Sequence, residues 1–320
     1  MLSFGENRRY YALDTYLQNT FGQKVYKLAL DGGMSCPNRD GTLGTGGCIF
    51  CSAGGSGDFA ASRSLSVTRQ IDTQIAVASQ KTVHSATSYI AYFQAYTNTY
   101  APYAILEKLF TEAISHPAIC ALSIATRPDC LPEETVALLS RLNRIKPVWI
   151  ELGLQTMHED TARYIRRSYS LSCFTDAVAR LNAADLSHVI VHTILGLPGE
   201  TDEMVLQTIR FLNTQPIHGI KLQLLHVLKG TDLAEDYARG AFEVLTQEHY
   251  IDLLIRCLEQ LSPETVIHRL TGDGPRELLI APQWSLRKRS VLNALQHELK
   301  VRNAWQGKYF SVYCLKLFNT

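Results

Sequence analysis

The sequence predicts an α/β fold in which parallel strands alternate with helices. Two observations carry this prediction. Six short runs of apolar, β-branched or aromatic residues recur before residue 230, and longer amphipathic stretches separate most of them. Near-continuous apolar strands of this kind are typical of parallel sheets that are buried on both faces. Both a closed or partly closed (β/α) barrel and an open doubly wound sheet fit the pattern.

The strands are predicted where apolar runs end at glycine, proline or polar residues, and the helices where apolar residues recur at helical spacing. The helix at Pro132 also has Glu133 and Glu134 in its first turn. In either architecture, chemistry belongs at the carboxyl ends of the strands. The predicted strands are residues 25–30, 89–93, 120–125, 148–154, 189–195 and 220–227. The predicted helices are residues 103–115, 132–142, 160–166, 173–183, 202–213 and 246–261.

The pattern changes after about residue 240. A predicted helix precedes the apolar segment 266–270, and the run Thr-Gly-Asp-Gly-Pro-Arg follows at 271–276 with turn chemistry. This loop either closes the open edge of a barrel and binds an anion, or it is a plain tight turn. We therefore divide the chain into an N-terminal extension (1–20), a core barrel (21–240) and a C-terminal extension (241–320) that packs on the barrel.

Composition excludes few classes of function. Lys and Arg number 31 against 30 Asp and Glu, so net charge neither requires nor excludes a nucleic-acid partner. The N-terminus has no apolar secretory segment, and no apolar run approaches the roughly 18 residues of a membrane span. Eight cysteines in a chain of this length without a predicted secretory segment indicate thiols and metal ligands rather than disulfides. We expect a cytoplasmic protein with no membrane partner.

Three cysteines, Cys36, Cys48 and Cys51, share one glycine-rich loop with the spacing C-x11-C-x2-C. Three thiolates on one loop can hold three corners of an iron–sulfur cluster and leave one iron open. Zinc would require a fourth ligand, and a zinc ribbon would show a second C-x2-C. A redox C-x-x-C pair leaves Cys36 unexplained. The remaining cysteines stand alone and are predicted to be mostly buried: Cys120, Cys130, Cys173, Cys257 and Cys314.

The cysteine loop carries a family resemblance. Residues 33–58, with Cys-Pro-Asn-Arg-Asp-Gly and Gly-Gly-Cys-Ile-Phe-Cys, resemble the cluster loop of radical S-adenosylmethionine (radical SAM) proteins of the YhcC/YtqA type. More distantly, the predicted barrel is similar to the radical domain of the Elongator catalytic subunit. The likeness to the YhcC/YtqA type continues through residues 92–102, 125–129, 151–156, 195–201, 226–231 and 268–276.

This resemblance implies a partial (β/α)6 TIM-like barrel of the radical SAM type with a C-terminal extension. It implies a [4Fe–4S] cluster held by Cys36, Cys48 and Cys51, with S-adenosylmethionine (SAM) chelating the open iron. One electron then cleaves SAM to a 5′-deoxyadenosyl radical that takes hydrogen from a substrate. A reducing protein such as flavodoxin or ferredoxin is the expected electron donor. No cysteine-rich region for an auxiliary cluster is evident, so one cluster is expected.

Five residues are predicted by position to contact the cofactor. Gln94 ends the second strand, where the superfamily has a Gly-Gly-Glu-type contact that this chain lacks. Glu151 and Gln155 resemble the segment that touches the ribose and carboxylate, although Glu151 could instead pair with an arginine. Gly196 begins a turn that could lie against adenine. Arg167 has a bidentate fork for the carboxylate, but the family pattern Asn-Arg-Gly-His reads Arg-Arg-Ser-Tyr here, and a surface ion pair is the ordinary alternative.

The substrate is the least determined part of the prediction. A basic and aromatic C-terminal segment favours RNA. The resemblance to the Elongator catalytic subunit implies tRNA, with a wobble uridine as the lead, and a small metabolite or a protein side chain are the alternatives. His192, His226 and His268 lie near predicted strand ends and could touch substrate, although a core position is favoured for His192. The rival from another class is a zinc-stabilised nucleic-acid-binding β/α module without radical chemistry.

Overall fold

The computed structural model describes residues 4, 8–55, 57–81 and 88–311. Ser56, within the resemblance segment, and Cys314 lie outside this range, as do the outer residues of both predicted extensions. Seven strands form one parallel sheet in which each strand neighbours the next along the chain. The strands are β1 (Val25–Leu30), β2 (Ser88–Phe93), β3 (Ile119–Thr126), β4 (Val148–Gln155), β5 (Val189–Leu195), β6 (Gly219–Leu224), β7 (Val227–Leu228), β8 (Val266–Arg269) and β9 (Leu279–Ala281).

The sheet runs in the order β1-β2-β3-β4-β5-β6-β8, and its two end strands do not pair with each other. It therefore curls into a half-barrel. A separate antiparallel pair, β7 with β9, lies beside it. The helices are α1 (Leu13–Phe21), α2 (Val67–Lys81), α3 (Tyr103–Ser115), α4 (Glu133–Asn143), α5 (Glu159–Tyr164), α6 (Leu171–Ala183), α7 (Asp202–Leu212), α8 (Asp232–Ala238), α9 (Gln247–Gln260) and α10 (Lys288–Val301).

The predicted partial barrel is confirmed, with one strand more than the sequence indicated. Residues 266–269, assigned to the C-terminal extension, form β8 and extend the barrel sheet by pairing with β6. The predicted strand 220–227 is instead divided into β6 and β7, because the chain leaves the sheet at Leu225 and His226. Helices α1, α2, α8 and α10 were not predicted. No helix in the described part of the chain has the length and apolar character needed to cross a membrane.

Helix α1 closes the amino end of the half-barrel. Its residue Leu17 is buried among the first residues of the strands. The Tyr16 hydroxyl lies 2.7 Å from His188 Nε2, and its ring lies 4.7 Å from the ring of His218. Trp149 stacks on His188 in the same cluster. Because this end is packed shut, the open end of the barrel is the carboxyl end of the strands.

The histidines at this closed end predict a loss of stability in mild acid. Burial lowers the pKa of His218 to about 4, and it also lowers the pKa values of His188 and His268. Between the ordinary histidine pKa and pH 4, the unfolded chain therefore binds more protons than the folded chain. We expect His218 alone to lower the free energy of unfolding by on the order of 2 kcal/mol between pH 7 and pH 5. Urea titrations at the two pH values measure this loss.

The matched variant is His218→Phe, which keeps a ring against Tyr16 but does not titrate in this range. It should show a smaller stability difference between pH 7 and pH 5 than the unaltered protein. An equal pH dependence in both proteins would contradict the assignment to His218.

Candidate active site

The cysteine loop follows β1 and folds back on itself. The amide of Arg39 donates to the carbonyl of Cys36 at 2.8 Å, which starts a turn. Gly47, at φ +73°, then donates its amide to the carbonyl of Asn38 at 2.7 Å, and this left-handed backbone favours glycine. The reversal brings the three predicted cluster ligands to one pocket at the carboxyl end of the strands. Those ligands are Cys36, Cys48 and Cys51.

The environment of the loop favours a thiolate. A hydrogen bond with Cys51 and the Asn38 side-chain amide, 3.5 Å from Cys48 Sγ, together lower the pKa of Cys48 to about 7 against the opposing effect of burial. The same hydrogen bond with Cys48 raises the pKa of Cys51, and burial adds to that effect. Cys48 is therefore the thiol of this pair that ionises first. Thiolate is the form of cysteine that binds metal.

The donor set, three thiols on one loop, fits a cluster that keeps one iron open. A zinc ion draws all its ligands to one centre, with Zn–S distances of about 2.3 Å. Within the described ranges, no three His, Cys, Asp or Glu side chains are grouped to hold one ion in this way. A cubane cluster instead takes each cysteine on a different iron, so its thiolates approach from separate sides. The pocket that the three thiols line has a volume of about 170 Å³.

The turn after α5 holds the cysteine loop in place. The Asn38 side-chain amide donates to the carbonyl of Arg166 at 2.7 Å. The amide of Ile49 donates to the carbonyl of Ile165 at 3.4 Å. The position of the thiols therefore depends on the turn at residues 165 and 166.

Arg167 fixes this turn, and all five of its N–H donors are used. Nε donates to the carbonyl of Tyr169 at 2.9 Å. Nη1 donates to the carbonyls of Leu154 and Thr156 at 3.3 and 2.6 Å. Nη2 donates to the carboxylate of Glu159 at 3.3 and 3.2 Å. In this arrangement the guanidinium joins the end of β4 to the turn, with no donor left over, and its role in binding the cofactor carboxylate stays a prediction.

Replacing Arg167 should therefore disturb both stability and metal binding. Arg167→Met removes the donor to the carbonyls of Thr156 and Tyr169 and one of the two donors to the carbonyl of Leu154, and we expect a loss of about 2–4 kcal/mol in the free energy of unfolding. We also expect less iron per chain after reconstitution, because the turn positions the cysteine loop. Denaturant titration and iron analysis measure the two effects. Arg163→Met is the matched control, since Arg163 is exposed and pairs only with Asp160 on its own helix; equal losses in both variants would contradict this role.

Gln94, Gln155 and Gly196 lie at the carboxyl ends of β2, β4 and β5, as predicted. Gln94 and Gln155 line the pocket of the three thiols. Gln155 adopts φ +63°, and its buried Oε1 has no hydrogen-bond partner within the described residues. A buried acceptor of this kind indicates a ligand group or water. Gly196 adopts φ +86° but lines neither this pocket nor the larger cavity described below, so its contact with the cofactor stays a prediction.

Glu151 is wholly buried inside the barrel and is saturated by protein donors. Lys27 Nζ and Ser123 Oγ donate to Oε1 at 2.5 and 2.7 Å. Lys221 Nζ also donates to Oε2, and His192 Nε2 lies 2.7 Å from the same oxygen. The sequence left open that Glu151 pairs with an arginine, and the structure shows two lysines in that place. Its contact with the cofactor stays a prediction.

The charges inside this network depend on one another. Burial raises the pKa of Glu151, but Lys221 and Lys27 outweigh burial and hold that pKa well below its usual value. Burial lowers the pKa of Lys221 to about 7 and that of His192 to about 4. Neither lysine was predicted as a site residue. The signal was present, because each is a charged residue inside an otherwise apolar strand.

A larger cavity of about 520 Å³ adjoins the thiol pocket. The two share Cys51, Gln94, Gln155, His192 and Arg269 as wall residues. Residues 272–275, Ser285 and Lys288 form the far wall, so the loop singled out at 271–276 faces the cysteine loop across the cavity. The space is large enough for a small molecule or for one nucleotide of a larger substrate.

The three histidines singled out by the sequence have different surroundings. His192 and His226 line the larger cavity, whereas His268 buries both its ring nitrogens and packs edge-on against Trp149. The hydroxyl of Ser285 donates to the carbonyl of Pro282 at 2.9 Å and lies 3.1 Å from His226 Nε2. Because that hydroxyl has one proton, Nε2 of His226 is the donor in the second contact.

Comparison with known proteins agrees with this arrangement. The model of the radical SAM superfamily matches residues 41–212, more than half of the chain, and that of the radical SAM C-terminal domain matches residues 217–301. The chain belongs to the radical SAM superfamily and is a radical SAM enzyme. Proteins of this superfamily typically use a [4Fe–4S] cluster and SAM.

Among individual proteins, the chain is similar to YtqA of Bacillus subtilis, with 45% identity over 95% of this chain and 93% of YtqA. It is 27% identical to a tRNA uridine(34) acetyltransferase of Methanocaldococcus infernus over 53% of this chain but only 31% of that protein. Its fold resembles that of the archaeal Elp3 of Methanocaldococcus infernus, with a TM-score of 0.64 and 16% identity over 88% of this chain and 64% of the Elp3 chain.

Proposed function

We propose that Cys36, Cys48 and Cys51 hold a [4Fe–4S] cluster, that SAM binds its open iron, and that the enzyme takes hydrogen from a substrate in the larger cavity. The observation that carries this proposal is the shared wall of the two cavities. The three thiols line the smaller cavity, and Cys51 also faces the larger one. Chemistry that begins at a cluster in this position would reach a substrate without crossing protein.

The residues around the thiols would then bind, orient and shield. When bound, the cluster and SAM supply the reductive cleavage that yields a 5′-deoxyadenosyl radical. The Asn38 amide donates towards the Cys48 sulfur and supports its negative charge. Gln155 has a free buried acceptor for a polar group of SAM, and Gln94 lies on the same wall. Glu151 and Lys221 line the same cavity, and Lys27 pairs with Glu151 behind them.

We propose tRNA as the substrate. The matched relative that is a tRNA uridine(34) acetyltransferase supports this choice. Arg287, Lys288 and Arg289 lie together at the start of α10, and Lys288 lines the larger cavity, where cations would meet phosphates. Trp305 and Lys308 follow the other end of α10, roughly 21 Å away along a helix of this length. A ligand that used both basic regions would have to be extended, as an RNA stem is.

We propose a small reducing protein, flavodoxin or ferredoxin, as the electron donor. Residues 40–43 and 45–46 of the cysteine loop are exposed, and the side chain of Leu43 is 52% exposed. A protein that docked on this loop would be separated from a cluster at the three thiols by the loop alone.

The first test is anaerobic reconstitution with iron and sulfide, followed by SAM and dithionite and an assay for 5′-deoxyadenosine. About four irons per chain and formation of this product would support the proposal. Bound zinc, no iron and no product would overturn it in favour of the zinc module. The tRNA part is tested by adding unmodified tRNA or a non-tRNA RNA of equal length. We expect tRNA, but not the other RNA, to speed the release of 5′-deoxyadenosine. Equal rates of release with the two RNAs would exclude tRNA as the specific substrate.

A further inference from the structure

One lysine, one arginine and one histidine side chain occupy one layer of the barrel wall. In the strand register, His192 on β5 is the partner of Lys221 on β6, and Lys221 is the partner of Arg269 on β8. All three line the smaller cavity that holds the thiols. Like charges on directly opposed residues of neighbouring strands are destabilising unless something compensates them. The opposed like charges here are Lys221 and Arg269. Glu151 compensates Lys221 through their ion pair, and it also contacts His192.

Arg269 lacks such compensation. Within the described residues its guanidinium makes no hydrogen bond, and its one ion pair is a 3.6 Å contact from Nη2 to Asp273 Oδ2. Asp273 is itself held by Lys288 Nζ at 2.7 and 2.9 Å. The Arg269 side chain is 29% exposed, so it is partly withdrawn from water while most of its donors are unused. Arg167, which lines the same smaller cavity, uses every donor it has.

The position of Arg269 points to substrate. It lines the thiol pocket and the larger cavity, and so does Cys51. The acidic residues that line the larger cavity are Asp58 and Asp273, and Asp58 is already bound by the hydroxyl of Ser52 at 3.0 Å. A planar guanidinium with free donors matches an oxyanion with two oxygens in its plane.

We propose that Arg269 is the receptor for an oxyanion of the substrate, a phosphate or a carboxylate, at the junction of the two cavities. This inference deepens the proposed function and rests on it only for the identity of the substrate. The anion would neutralise Arg269 and relieve its repulsion with Lys221. It would also fix the substrate with one end at the barrel wall and the remainder facing the cysteine loop.

Titration of the reconstituted protein with inorganic phosphate and with acetate, at constant ionic strength in chloride, tests the proposal calorimetrically. The variants are Arg269→Gln, Arg269→Lys and the control Arg276→Gln, which removes an exposed arginine from the same loop region outside both cavities. We expect one oxyanion or the other to bind, with a Kd at least about tenfold weaker in Arg269→Gln. We expect a smaller loss in Arg269→Lys and a Kd within twofold of the unaltered protein in Arg276→Gln.

Two outcomes would overturn the proposal. One is the absence of saturable binding of either anion, or equal Kd values in all variants. The other is a comparable loss of affinity for S-adenosylhomocysteine in Arg269→Gln, which would assign Arg269 to the carboxylate of the cofactor. We expect Arg269→Gln to fold, because the change removes a like charge opposite Lys221. Unfolding curves in chloride check the stability of the variant. The assay for 5′-deoxyadenosine without substrate separates a failure of this proposal from a failure of the radical chemistry.

Discussion

Replacing Cys48 by alanine should abolish formation of 5′-deoxyadenosine and reduce bound iron to background. A [4Fe–4S] cluster that loses one of three protein thiolates has too few ligands to be retained. Cys48 is also the thiol with the lowered pKa, so the variant removes the ligand that is most readily ionised. Iron analysis, visible absorption and product assay on the anaerobically reconstituted variant measure the loss.

Two comparisons make this result specific. Cys173→Ala should retain full iron content and activity, because Cys173 lies on α6 and lines neither cavity. Cys36→Ala should be as inactive as Cys48→Ala. A thiol oxidoreductase that used only Cys48 and Cys51 would stay active without Cys36. Activity in Cys36→Ala would therefore contradict the cluster assignment.

Replacing Glu151 by glutamine should cost about 3–5 kcal/mol in the free energy of unfolding, because the buried Lys221 and the half-buried Lys27 lose their counter-charge. The change keeps the shape of the side chain and removes its charge. Lys221, already easier to deprotonate than an ordinary lysine, would then face Lys27 and Arg269 without an anion between them. Urea unfolding at neutral pH measures the loss.

Glu107→Gln is the control for this prediction. Glu107 pairs with Arg141 on the surface, where the two side chains are 47% and 52% exposed, and such pairs contribute about 0–1 kcal/mol. The double variant Glu151→Gln/Lys221→Met should recover part of the loss by removing one uncompensated charge. A loss below about 1 kcal/mol in Glu151→Gln would show that the buried network is not held together by charge.

Much of the fold was predictable because the barrel strands are apolar on both faces. Strands β1 and β5 have the predicted bounds, and β2, β3 and β4 differ from theirs by at most one residue at either end. The short strand β8 was not predicted as part of the sheet, because four residues give no periodicity and only pairing with β6 defines it. Helix α2 was missed because few of its residues are apolar, and its core contact rests on Val67 and Ile71.

The candidate site was predictable where chemistry is local in sequence. The cysteine spacing identified all three thiols, and the structure gathers them at one pocket. Contacts between distant residues could not be predicted from the chain alone. Lys27 and Glu151 are 124 residues apart, and only the register of four strands brings them within 2.5 Å. Arg269 could not be predicted as a site residue for the same reason. Its lack of hydrogen-bond partners within the described residues is a property of the folded cavity.

The last strand of the half-barrel, β8, has an outer edge, and residues 11 and 12 cover it. The amide of Ile267 donates to the carbonyl of Tyr11 at 2.8 Å, and Ala12 forms a parallel bridge with Ile267. Gln306 holds this segment in place. Its backbone amide donates to the carbonyl of Arg9, and its side-chain Oε1 accepts from the backbone amide of Tyr11, each at 2.8 Å. Unpaired strand edges recruit strands from other molecules. A shortened protein that began at residue 13 would therefore leave the edge of β8 unpaired. We expect it to aggregate at concentrations where the longer chain does not.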